Sequence, residues 1–142
     1  MFICACPRSG TTLLGQLADA HPDLAVVHES RFIAGWYEER VGLTPDGQVT
    51  KALVSELATY ARYARLGLGP DVLEHLLTTD QPVSYDRFVS GIFDLYSELR
   101  GKRIVADKTS RYMRRVPTLH TLRRRQDSST WFATGGTSAS LC

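Results

Sequence analysis

The segment Cys6-Pro-Arg-Ser-Gly-Thr-Thr-Leu-Leu14 limits this chain more than any other. An apolar run, Phe2 to Cys6, precedes it and reads as a buried strand. Behind it the pattern turns helical, with Leu13, Leu14, Leu17 and Ala18 on one stripe until His21-Pro22 ends it. A turn between strand and helix aims several backbone N–H groups at one point, and the helix dipole adds positive potential there. Gly10 lets the backbone come close to an anion, the Thr11 and Thr12 hydroxyls can donate to it, and Arg8 can fork onto two of its oxygens. The common nucleotide loop has lysine straight after its last glycine, whereas Thr11 stands there in this chain. The loop therefore suits a phosphate or phosphosulfate better than a magnesium-bound triphosphate. The plainer alternative is a buried turn whose arginine pairs with a carboxylate. A phosphatase loop is excluded, because the positions where its arginine would stand after Cys4 or Cys6 are Gly10 and Thr12.

The chain has 142 residues, 43% of them hydrophobic, which suffices for one modest core. Seventeen basic against fifteen acidic side chains leave a formal charge of +2, too balanced to argue for nucleic acid. No apolar stretch has the length of a membrane span, and the start lacks the basic region of a signal peptide. Three cysteines cannot frame a disulfide scaffold, and Cys4 and Cys6 have no further ligands spaced for zinc. These features point to a cytoplasmic chain that contacts neither nucleic acid nor membrane and holds no metal.

Leu24-Ala-Val-Val27 reads as a second strand ending in His28-Glu29-Ser30, and Arg103 to Ala106 as a third leading into Asp107-Lys108-Thr109. Helical spacing covers Lys51 to Leu66, Asp71 to Leu77, Ser84 to Leu99 and Arg111 to about Leu122, with a Gly/Pro/Asp-rich loop around Gly42 to Gly47. This alternation predicts an α/β, three-layer, P-loop-like fold with a mainly parallel sheet and a helical insert at about 36–100. Trp36, Tyr37, Tyr60 and Tyr63 in that insert can line a pocket or fill core. The arginines from Arg111 to Arg125 read as a solvated helix face plus tail. From Arg123 onward the periodicity stops, and 123–142 reads as a disordered or aberrant tail.

Pro7 to Leu14 resembles the 5′-phosphosulfate loop of sulfotransferases that use 3′-phosphoadenylyl sulfate (PAPS). Asp19-Ala-His-Pro-Asp23 and His28-Glu-Ser-Arg31 extend the likeness to the tyrosylprotein sulfotransferase branch and its bacterial relatives, as does the interval from Arg8 to Glu29. Ala106-Asp-Lys-Thr-Ser-Arg-Tyr112 is similar to the family's "EKTPRY" or "KDP" segment. The likeness covers 1–122 as one partial domain. It implies that Arg8, Ser9, Gly10, Thr11 and Thr12 hold the 5′-phosphosulfate of PAPS. Glu29 would be the base that takes the acceptor's proton, with Lys108 and Arg8 neutralising charge on the leaving oxygen. The acceptor would be a hydroxyl compound: a small molecule, a carbohydrate or a peptide tyrosine. Against these roles stand simpler ones, in which Glu29 pairs with Arg31, Lys108 pairs with Asp107, and His28 is scaffold. Arg31 would either contact substrate or orient Glu29.

The likeness stops where the family binds the 3′-phosphate. A hydrophobic strand and an "RDxRD"-like segment are expected after Leu122, and the chain reads Arg123-Arg-Arg-Gln-Asp-Ser-Ser-Thr130. This has the look of an N-terminal fragment with a truncated or frame-shifted end, lacking the C-terminal part of the sheet. The expectation is then a marginal fold, weak PAPS affinity, and activity weak or absent in the shortened chain. Two other functions compete: a small-molecule kinase with a degenerate loop, and a non-catalytic anion-binding or protein-interaction module.

Overall fold

The computed structural model describes residues 2–4, 10–78 and 81–124. The expected tail therefore falls outside the described residues, apart from the last turn of a helix.

The elements run β1 (Phe2–Ile3), α1 (Thr11–Asp19), β2 (Leu24–His28), α2 (Phe32–Glu39), α3 (Lys51–Thr59), α4 (Ala61–Ala64), α5 (Pro70–His75), α6 (Tyr85–Arg100), β3 (Ile104–Lys108) and α7 (Val116–Arg124). A 3-10 turn over Ser110–Arg115 joins β3 to α7. The three strands form one parallel sheet in the order β1-β3-β2. β3 is central because Val105, Ala106, Asp107 and Lys108 are buried on both faces. Its register sets Leu24 beside Ile104 and His28 beside Lys108, while Phe2 lies beside Asp107.

Alternation along the strands divides the protein into layers. Ile3, Val26 and Ala106 pack with Ala18 and Leu24 under α1. Phe2, Ala25, Val27 and Val105 face the other way, into a larger core with Phe32, Leu53, Phe88, Ile92, Tyr112 and Leu119. Helices thus cover both faces of the sheet, as the α/β expectation requires. The outer edge of β2 is closed by Asp19, whose carboxylate accepts the Val26 N–H at 2.9 Å. Arg100 and Lys102 hold that carboxylate from the end of α6.

α6 forms because Phe88, Val89, Ile92 and Tyr96 recur at helical spacing on one buried stripe. Gly101 stops it with φ 61°, and the Lys102 N–H closes back on Ser97 O at 3.0 Å. The expected helix over Lys51–Leu66 is broken at Tyr60, whose ψ of 115° leaves the helical region. The helix expected from Arg111 begins as the 3-10 turn and becomes α-helical only at Val116.

Two departures from expectation bear on the site. α2 has no counterpart in the sequence reading, because Phe32, Ile33, Ala34 and Gly35 are buried in succession and show no helical period. In α1 the leucine stripe faces outward: Leu13, Leu14 and Leu17 are 50–63% exposed, while Thr11 and Gly15 are buried. A Cβ on Gly15 would lie 3.0 Å from His28 Cε1 and 3.6 Å from Lys108 Cε. A side chain there would crowd His28, so glycine suits the close passage of the helix over the ends of β2 and β3. Among the described residues, no helix is long and apolar enough to cross a membrane.

Gly42 has φ 57°, and a Cβ there would stand 2.4 Å from the Leu53 backbone nitrogen. Backbone cannot give way as a side chain can, so Gly42→Ala should cost about 3 kcal/mol or more in urea unfolding. Gly10→Ala, with φ 76° but open space around it, should cost only about 1 kcal/mol.

Candidate active site

The parallel register of β2 and β3 ends both strands at the same level. Glu29 follows directly, its N–H donating to Lys108 O at 2.8 Å as one more rung of the ladder. The chain then turns sharply, with φ 57° at Glu29 and 61° at Arg31 on either side of Ser30. Two non-glycine residues in the left-handed region cost about 1 kcal/mol or more each, and surrounding contacts must hold them there.

Those contacts converge on the Glu29 carboxylate. Lys108 Nζ lies 3.4 Å from Oε1, and Ser110 donates both its N–H and its hydroxyl to the same oxygen at 3.2 Å. Arg31 Nε donates to Oε2 at 3.3 Å. From α4, Arg62 donates to the Glu29 main-chain oxygen at 2.9 Å. Burial alone would raise the Glu29 pKa, but the Ser110, Arg31 and Lys108 contacts outweigh it and hold the carboxyl below the usual range. Lys108 is buried and Glu29 partly open, so the cluster presents an ionised carboxylate to solvent above a cation it covers.

α1 supplies a second polar element. Gly10 caps it at φ 76°, and the Leu14 N–H closes on Gly10 O at 3.1 Å. No described side chain caps its first-turn N–H groups. Lys108 runs beneath Gly15, one turn further on, so the same lysine faces both the helix start and Glu29.

Next to the cluster opens a polar cleft of about 190 Å³, lined by Arg31, Trp36, Glu39, Tyr60, Thr109, Arg111, Tyr112 and Arg115 around Gly35. Trp36 and Tyr60 stack with ring centroids 5.1 Å apart and both pack on Phe32. Arg115 Nη1 lies 2.9 Å from Glu38 Oε2, a charge contact without hydrogen-bond alignment.

The residues singled out by sequence are thus partly brought together. Glu29 and Lys108 meet, Gly10 and Thr11 stand at the helix start, and Thr12 is exposed there. Arg8 and Ser9 lie outside the described residues. The simpler alternatives divide. The Glu29–Arg31 pair exists alongside Lys108, but Lys108 does not pair with Asp107, since the pleat sends the two to opposite faces. His28 packs against Gly15, and burial and then Lys108 lower its pKa. Tyr63 is core, Tyr37 stacks 5.6 Å from Tyr85, and Trp36 and Tyr60 line the cleft. Sequence reasoning gave no role to Ser110, although it lies within the Ala106–Tyr112 segment. It had no signal for Arg62, which is remote in sequence. Burial, and then Asp107, push the Cys4 thiol up to about 11, which makes it inert.

A parallel α/β sheet with a carboxylate, a buried lysine and a helix N-terminus at its carboxyl edge can bind an oxyanion and orient it for group transfer. The model of the sulfotransferase family matches residues 1–124, and the chain belongs to that family. No curated protein and no solved structure matches it significantly.

Beneath the site Asp107 is fully buried, and burial pushes its carboxyl up to about 6 against the hydrogen bonds it accepts from Ser30, Thr109 and Tyr112. Between pH 4 and 6 the folded chain therefore keeps a proton that the unfolded chain has lost. Stability should fall as pH rises through that window, by up to roughly 3 kcal/mol. Glu29 acts in the opposite sense, adding stability above its ordinary pKa that is lost on acidification. Urea midpoints measured from pH 3 to 8 should show the falling limb, and Asp107→Asn should flatten it.

Proposed function

We propose that the chain transfers a sulfuryl group from PAPS to an acceptor hydroxyl. The observation that carries this reading is the meeting of Glu29 and Lys108, 79 residues apart in sequence, at 3.4 Å beside the start of α1. The donor fits what surrounds them: a left-handed glycine cap, a first helical turn that no described side chain caps, and a lysine passing beneath the helix. When bound, PAPS supplies the sulfuryl group and leaves as adenosine 3′,5′-bisphosphate.

In this reading Arg8, Ser9, Gly10, Thr11 and Thr12 hold the 5′-phosphosulfate. Lys108, with Arg8, balances charge growing on the bridging oxygen, so fixed cations take the place a metal has in phosphoryl transfer. Glu29 accepts the proton of the acceptor hydroxyl. Its depressed pKa keeps it ionised at neutral pH, and its remaining donors hold it still. The cleft beside Arg31, with Trp36 and Tyr60 on its wall, admits the acceptor. Arg31 then orients Glu29 while forming part of the acceptor's path.

Glu29→Gln should lower turnover about 10²- to 10⁴-fold. Calorimetric titration with adenosine 3′,5′-bisphosphate should give the same affinity as the wild type, and ATP with magnesium should bind more weakly. A preference for ATP with magnesium would replace this reading with the kinase one. Wild-type transfer that Glu29→Gln leaves untouched would remove Glu29 from the chemistry. Bisphosphate binding without any transfer would favour the binding module.

A further inference from the structure

Asp107 is out of place by the logic of the sheet. It is the next-to-last residue of the central strand, fully buried, on the face that packs into the main core. An apolar residue there would remove the cost of burying a carboxylate, and such replacements are often neutral or stabilising. What the carboxylate gains is a set of hydrogen-bond donors, among them the hydroxyls of Ser30 and Thr109. Oδ2 accepts the Ser30 hydroxyl, and Oδ1 accepts the Thr109 hydroxyl at 2.9 Å. Ser30 is also paired with the Tyr112 hydroxyl at 2.9 Å, and Tyr112 is itself fixed edge-on against Phe2, with centroids 5.9 Å apart.

The two residues Asp107 holds occupy corresponding positions. Ser30 lies between Glu29 and Arg31, both with left-handed backbone. Thr109 lies between Lys108 and Ser110, both of which contact the Glu29 carboxylate. One buried group thus pins the turn that carries the carboxylate and the segment that carries its donors, from the side of the sheet opposite Lys108. We propose that Asp107 is a positioning residue, which through Ser30 and Thr109 sets the geometry between Glu29 and Lys108. Its catalytic meaning rests on the sulfuryl-transfer reading above, but the geometry it enforces can be measured without any turnover.

The test is a carboxyl-carbon NMR titration of Glu29 in the full chain, as wild type, Asp107→Asn, Ser30→Ala and Thr109→Val. The sign discriminates. Removing a nearby negative charge would by itself lower the Glu29 pKa further. Loosening its donors raises it toward the ordinary glutamate value. A rise is expected in Asp107→Asn, with smaller rises in Ser30→Ala and Thr109→Val, where no charge changes. Thr109→Ser keeps the hydroxyl and should restore the wild-type titration. A fall or no change in the folded variants overturns the proposal. So does failure of all three to fold, since the cluster would then serve stability alone. In a transfer assay Asp107→Asn should lower kcat about 10- to 100-fold while KM for the donor holds, because misplacing reacting groups by about 1 Å costs of that order. A wild type that binds ATP with magnesium in preference to adenosine 3′,5′-bisphosphate would remove the sulfuryl-transfer reading, and the Glu29 titration would still decide whether Asp107 positions the pair.

Discussion

Everything at the site depends on the parallel pairing of β2 with β3. A parallel ladder puts the carboxyl ends of neighbouring strands on one side, which antiparallel strands cannot do. Here the register sets His28 beside Lys108, and the Glu29 N–H extends the ladder by one bond at 2.8 Å. A slip of one residue would send Lys108 into the main core and Asp107 under α1, because the side-chain period is two. The register is secured by its two unlike faces. Ala106 and Val26 can pack only under α1, and Val105 and Val27 only against the larger helical layer. The chemistry at the strand ends is therefore held in place by ordinary apolar packing further down.

How much of this was legible depends on whether the signal was local. The strand, glycine turn and helix around Gly10 could be read because each has its own short-range pattern. Glu29 and Lys108 could be proposed as partners only through family likeness, because their contact spans most of the chain. α2 was missed for a physical reason: its first turn, Phe32 to Gly35, is buried all round, so its apolar residues show no period. The outward leucines of α1 inverted the expected burial. The usual rule gave way because Gly15 and Thr11 are the small residues turned inward, where His28 and Lys108 pass close underneath. The break at Tyr60 places that ring against Trp36, a tertiary demand that propensity does not encode. Arg62 reaches Glu29 only because of that same break, which begins α4.

Adjacent residues of one strand show how the fold uses alternation. Lys108 points toward α1 and the helix start, and Asp107 points into the helical layer, yet both act on the same glutamate turn. Lys108 touches the Glu29 carboxylate directly. Asp107 reaches it through the backbone, by way of Ser30. The two acidic groups are shifted in opposite directions for reasons that follow from this placement. Glu29 is partly open and surrounded by donors, so ionisation is favoured. Asp107 has hydroxyl partners and, among the described residues, no salt bridge, so burial dominates.

That opposition has an energetic meaning. At neutral pH the chain bears the cost of an ionised carboxylate in its core, together with two left-handed residues at the strand end. Neither would persist in a small domain unless neighbouring contacts compensated, since the whole margin of stability is only about 5–15 kcal/mol. The compensation comes from the same hydrogen bonds that define the site: Ser30 and Thr109 to Asp107, Ser110 and Arg31 to Glu29, and Arg62 to the Glu29 carbonyl. Local strain at the strand ends and the convergence of donors on one carboxylate are thus two aspects of a single arrangement. Relieving the strain by substitution would loosen the convergence with it.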